Sequence, residues 1–149
     1  MKKLFFNSFV YAVVLLIFIT GISSCKKSSA DPTSTSGFSW TVSGVTYTAD
    51  NDTAFVSGPF TIIAKKDEAD IANFKIFEID LSGFTAGAYT LTSSGDQVNY
   101  VTSTGAVTSQ SGTLNITANT GTTVSGNFST TLSGGLAMTG NFTAIPIKP

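Results

Sequence analysis

Residues 37–149 are predicted to fold as an all-β domain, an antiparallel β-sandwich or flattened barrel of about nine or ten strands. Three observations predict it. Val, Ile, Phe and Ala recur in short runs that alternate with Thr and Ser, the period-2 pattern of half-buried strands. Gly, Ser and Asp/Asn clusters interrupt these runs at close spacing, as turns do. Thr, Ser and Gly dominate the composition, so almost no helix is expected after residue 25. The span is long enough for one core and too short for two.

Ahead of the domain the pattern differs. Lys2 and Lys3 form a positive start, and residues 9–19 are an unbroken apolar run, the length of the helical core of a signal peptide and short for a membrane span. Ile22-Ser23-Ser24-Cys25 follows and resembles the lipobox of bacterial lipoproteins, an aliphatic and two small residues before an obligatory cysteine. Residues 1–24 therefore read as a lipoprotein signal peptide, and Cys25 as the site of lipidation; the alternative is a free thiol after an ordinary secretory signal. By that resemblance the mature chain begins at Cys25 with several acyl chains, enough for stable attachment where one alone is marginal. Residues 25–36 read as the lipidated cysteine and a flexible tether, since no apolar side chain larger than Ala or Pro occurs from Lys26 to Ser36. Lys26 rather than Asp follows the cysteine, so nothing resembles an inner-membrane retention signal and the outer membrane is expected. Two lysines stand where surface-exposed lipoproteins often carry acids, which favours the periplasmic face over the cell surface.

Within the domain, residues 38–42 and 45–49 alternate around Ser43-Gly44 and predict a hairpin with Val42 opposite Val45 and Trp40 opposite Tyr47. Phe38, Trp40, Val42, Val45, Tyr47 and Ala49 then share a core face. Asp50-Asn51-Asp52 makes a turn, residues 53–57 a strand, Gly58-Pro59 a break, and residues 60–64 a strand with Phe60, Ile62 and Ala64 on one side. Residues 65–70 read as a charged hairpin tip. Residues 71–81 do not alternate simply, and a bulge near Ile76-Phe77 is the favoured resolution, with both faces covered as the alternative. Further strands are expected at 88–92, 97–104 and 113–117. Ser125-Gly126-Asn127-Phe128-Ser129 recurs as Thr139-Gly140-Asn141-Phe142-Thr143 about the Ser133-Gly134-Gly135 loop. Pairing the two sets Leu132 against Leu136, Thr130 against Met138, Phe128 against Gly140 and Gly126 against Phe142, so each ring covers a cross-strand glycine.

Together with the opening hairpin, Gly87-Ala88-Tyr89-Thr90-Leu91, residues 112–117 and the closing 140–146 segment, this pattern resembles an uncharacterised family of Bacteroidota lipoproteins, small all-β domains of unknown function. The resemblance covers nearly the whole domain and implies address and fold, but no activity.

Composition excludes several chemistries. The domain's acids, Asp50, Asp52, Asp67, Glu68, Asp70, Glu78, Asp80 and Asp96, outnumber Lys65, Lys66, Lys75 and Lys148, and the chain has no arginine, so nucleic acid is an unsuited partner. With no histidine and one cysteine, Ser-His-Asp and Cys-His arrangements and the common zinc sites are impossible within one chain. Asp50-Asn51-Asp52 and Asp67-Glu68-Asp70 supply oxygen ligands but no calcium-loop continuation, so no metal and no cofactor is expected. Asp52-Thr53-Ala54 resembles the O-glycosylation motif of exported Bacteroidota proteins and makes Thr53 a candidate acceptor; its other reading is a strand start. Trp40 and Tyr47 are candidate ligand-facing aromatics if exposed, and core residues by strand periodicity. The reading that follows is a non-catalytic, lipid-anchored envelope module, structural or ligand-binding. Its partners would be the membrane, through the anchor, and a glycan or envelope protein. The alternatives are a glycan-binding accessory domain and a glycan-active enzyme using Glu78 and Asp80, which lie about 7 Å apart on one strand face.

Overall fold

The computed structural model describes residues 37–56 and 60–149. The expected signal-peptide helix, Cys25, the tether and the Gly58-Pro59 break lie outside the described residues. The rest forms ten strands: β1 (Gly37–Val42), β2 (Val45–Thr48), β3 (Asn51–Phe55), β4 (Phe60–Lys66), β5 (Lys75–Leu81), β6 (Gly87–Leu91), β7 (Gln97–Thr102), β8 (Gly105–Asn119), β9 (Thr123–Leu132) and β10 (Leu136–Lys148). Among the described residues there is no helix.

Seven of these strands close a barrel in the order β10-β3-β4-β5-β7-β8-β9 and back to β10, while β1 lies on β10, β2 on β1 and β6 on β8. Every pairing is antiparallel but one. The seam between β10 and β3 is parallel, Ile147 against Ala54 and Lys148 against Phe55, which corrects the expectation of a purely antiparallel sheet. The reason lies in the connections. Because β10 runs on past β1 to reach β3, closure is made by two strands distant in sequence, and no tight turn constrains their direction.

The first hairpin has the predicted register, Val42 against Val45 and Trp40 against Tyr47. Ser43 and Gly44 both take positive φ, 50° and 77°, the pair of left-handed residues that a two-residue hairpin turn requires. Phe38, Trp40 and Val42 are buried, whereas Tyr47 and Ala49 are half-buried and Val45 is 50 % exposed. The predicted core face is therefore weakest at the turn end of β2, where Val45 lies, because that strand lies outside the closed ring.

The expected bulge at Ile76-Phe77 is absent. Pairing runs unbroken from Phe60↔Leu81 to Lys66↔Lys75, and Phe77, Ile79 and Leu81 all point inward. The alternation conflict dissolves because Ile71–Phe74 belong to a turn and not to the strand. Asp70 builds that turn: its carboxylate accepts the Ala72 N–H at 3.0 Å and the Asn73 side-chain amide at 2.8 Å, and its carbonyl accepts the Phe74 N–H at 2.8 Å. Ile71 is consequently 86 % exposed.

Strand β8 is far longer than the 113–117 segment read from the sequence. Gly105–Thr108 pairs with β7, Gly112–Ile116 pairs with β6 on the same edge, and a register shift between Ser109 and Ser111 separates the two halves. Ser109 sits at that corner fully buried; its hydroxyl accepts the Val98 N–H at 3.0 Å and donates to the Thr92 carbonyl at 2.9 Å. Ser109→Ala strips both backbone groups of their partner, and an expected loss of about 1–3 kcal/mol, measured by urea unfolding, follows. A loss below about 0.3 kcal/mol would show that water replaces the hydroxyl freely.

The β9–β10 hairpin pairs as predicted, Leu132↔Leu136, Thr130↔Met138, Phe128↔Gly140 and Gly126↔Phe142. Inside the barrel, Phe77 lies 5.0 Å from both Phe38 and Phe128 and 5.7 Å from Trp40, centroid to centroid, and Phe38 stacks on Phe142 at 5.8 Å. These rings fill the interior at close-packed distances.

Candidate functional site

Alternation along β3, β4, β5 and β7 sends Ala54, Ile62, Ala64, Phe77, Ile79 and Val98 into the barrel. It turns Thr53, Phe55, Ile63, Glu78, Asp80 and Asn99 onto the outer face.

On the β5–β7 half of that face the polar side chains satisfy one another. Asp80 accepts the Thr61 hydroxyl at 2.8 Å and the Gln97 amide at 3.3 Å. The Asn99 amide nitrogen lies 3.4 Å from both Glu78 and Asp80, and the Asn99 carbonyl accepts the Thr108 hydroxyl at 2.9 Å. Glu78 and Asp80, the carboxylates considered for glycoside chemistry, thus share one amide. They sit side by side on a strand and are not opposed across a cleft, so a sugar ring has no place between them.

The β3–β4 half is concave. A groove of about 470 Å³ runs beside the β10–β3 seam, lined by Asn51, Asp52, Thr53, Phe55, Ile63, Lys65, Glu68 and Lys148. A neighbouring hollow of about 540 Å³ at the β4–β5 tip is lined by Asp50, Asn51, Asp67, Glu68, Ala69 and Asp70. The tip is tied internally: Lys66 pairs with Asp50 at 2.8 Å, the Asp67 N–H donates to Asp50 at 2.9 Å, and Lys65 pairs with Glu68 at 2.5 Å. The Lys66 ammonium, helped by the Asp67 N–H, holds the Asp50 carboxyl below its ordinary range, and the Asn73 amide and Ala72 N–H do the same for Asp70. Burial pushes Asp52 the other way, partly offset by the Phe38 backbone N–H near it. Among the described residues no group of three or more His, Cys, Asp or Glu is arranged to hold a metal ion.

The candidate residues fall in different places. Trp40 is 1 % exposed and so is removed as a ligand-facing aromatic; its indole N–H is buried without a hydrogen bond. Burial pushes the neighbouring Tyr100 phenol up, and the Trp40 indole acts the other way while missing good hydrogen-bond geometry. Tyr47 is half-buried, stacked on Trp40 at 5.7 Å with the Lys75 ammonium 4.9 Å from its ring centre, so Trp40 and Lys75 already occupy it. Thr53 faces the groove, half-buried and paired with Ile63. Phe55, Ile63 and Lys148 were not singled out by the sequence. Lys148 reaches the groove only through the seam with β3, and no local signal announces that contact.

The fold and this face define a small closed all-β barrel with a tightly packed interior and a mixed polar and apolar groove outside. Comparison with protein-family models, curated protein sequences and solved structures gives no match.

Proposed function

We propose that the chain is a lipoprotein whose barrel is a non-catalytic binding or structural module, held by Cys25 on the periplasmic face of the outer membrane. The observation that carries this reading is the order Lys2-Lys3, apolar 9–19, Ile22-Ser23-Ser24-Cys25 and a polar tether, in which every element suits lipid attachment. The resemblance to small Bacteroidota lipoproteins points the same way. For the non-catalytic half, the support is chemical. The chain has no histidine, its one cysteine is assigned to the anchor, and Glu78 and Asp80 are engaged with Asn99.

Cells expressing the protein and fed radiolabelled palmitate supply the test. Wild type is expected to carry label and sediment with membranes, and Cys25→Ala to lose the label and appear in the soluble fraction. Label persisting in the variant, or an unmodified Cys25 sulfur in the native protein by mass spectrometry, would overturn the assignment.

A further inference from the structure

We infer that the groove beside the β10–β3 seam binds a neutral saccharide, an inference that rests on reading the barrel as a binding module and names its ligand class. Phe55 and Ile63 give the groove an apolar floor. Asn51, Thr53 and Lys148 surround it, and among the described residues none of these three side chains makes a hydrogen bond or ion pair. Elsewhere on the same face Asp80, Gln97, Asn99 and Thr108 spend their hydrogen bonds on one another. On this face the uncommitted Asn51, Thr53 and Lys148 side chains therefore lie where the surface is concave and its floor apolar, the arrangement of a small-molecule site.

Charge narrows the ligand. Lys65 and Lys148 are balanced by Asp52 and Glu68, and Lys65 is already paired with Glu68, so the groove has no net charge to attract an anion or a cation. A sugar ring matches what remains. Its C–H face packs on an aromatic and an aliphatic side chain, and its hydroxyls, which both donate and accept, meet an amide, a hydroxyl and an ammonium. An acyl chain would strip those polar groups of water and return nothing.

The full chain, purified from membranes in a detergent without a sugar headgroup, is titrated calorimetrically with cellohexaose, laminarihexaose, xylohexaose and mannohexaose. At least one is expected to bind. Replacing the exposed Asn51 and Lys148 together by alanine is expected to weaken it about tenfold or more, the equivalent of roughly 1.4 kcal/mol. Phe55→Ala is expected to weaken it similarly, and Gln97→Ala, on the far half of the face, to leave it unchanged. The inference is overturned if no hexasaccharide binds, if the groove variants bind as wild type does, or if affinity is confined to a charged oligosaccharide such as trigalacturonate. It is equally overturned by an extended peptide displacing no sugar yet losing affinity in the same variants, or by a native Thr53 that already carries a sugar mass and fills the groove. Oligosaccharides shortened during the titration would refute the non-catalytic reading and leave the groove assignment to the variants. Failure of the palmitate experiment would refute the anchor alone.

Discussion

Phe77→Ala is expected to destabilise the barrel by about 3–5 kcal/mol, near the top of the range for single core truncations. Phe77 is fully buried at the middle of β5. Its ring touches Phe38 of β1, Trp40 of β1, Phe128 of β9 and Tyr100 of β7, at centroid distances of 5.0, 5.7, 5.0 and 6.4 Å. It therefore joins strands from opposite walls. The residue paired with it on β4 is Ala64, too small to swing into the space left behind. Rigid rings around the vacancy leave most of the cavity open, and cavity volume adds to the lost transfer energy. Urea unfolding of the full chain reads the loss from the midpoint at unchanged slope. A loss below about 1 kcal/mol would move Phe77 from the centre of the barrel to its margin.

Gly140→Ala is the second large effect, and it arises from crowding. A Cβ added at Gly140 would lie 2.5 Å from Cε1 and Cζ of Phe128 and 2.6 Å from the Ser39 carbonyl oxygen. The ring could turn away, but the backbone oxygen belongs to β1, which is hydrogen-bonded along β10. Overpacking of this kind costs typically about 1–3 kcal/mol, and a fixed backbone atom puts the substitution in the upper half. Phe128→Ala alone should cost about 3–5 kcal/mol. Combined, the two should cost at least about 1 kcal/mol less than their sum, because removing the ring relieves one of the clashes. Additivity within about 0.5 kcal/mol would mean that the ring does not cover the glycine.

The same ring and glycine show what was legible in one dimension. Phe128 over Gly140 and Phe142 over Gly126 could be read from alternation and one loop, because a hairpin's register follows from its turn and from parity. Trp40 against Tyr47 was legible for the same reason. The β5 misreading had a local cause too, since Ile71 and Phe74 look like strand residues until Asp70 is recognised as the start of a turn. Ser109 stands at the other extreme. Nothing in the polar run from Thr108 to Ser111 marks a fully buried hydroxyl, because its partners, Thr92 and Val98, are brought to it by two different strand pairings. The groove was illegible likewise. Asn51, Thr53 and Phe55 share a strand face, but Ile63 joins them through β4 and Lys148 through the chain's far end.

By itself the sequence determined what is local: the β1–β2 and β9–β10 hairpins with their registers and inward rings, and the lipobox order before the domain. Alternation and turn chemistry act between near neighbours, and a pattern in one dimension records them directly. Only the tertiary structure decided that β8 serves two neighbours along one edge and that β10 closes the ring by a parallel seam on β3. It alone placed Thr53 and Lys148 in one groove. Those outcomes depend on which distant edges meet, which is set by the twist and closure of the whole sheet and by the packing of rings within it.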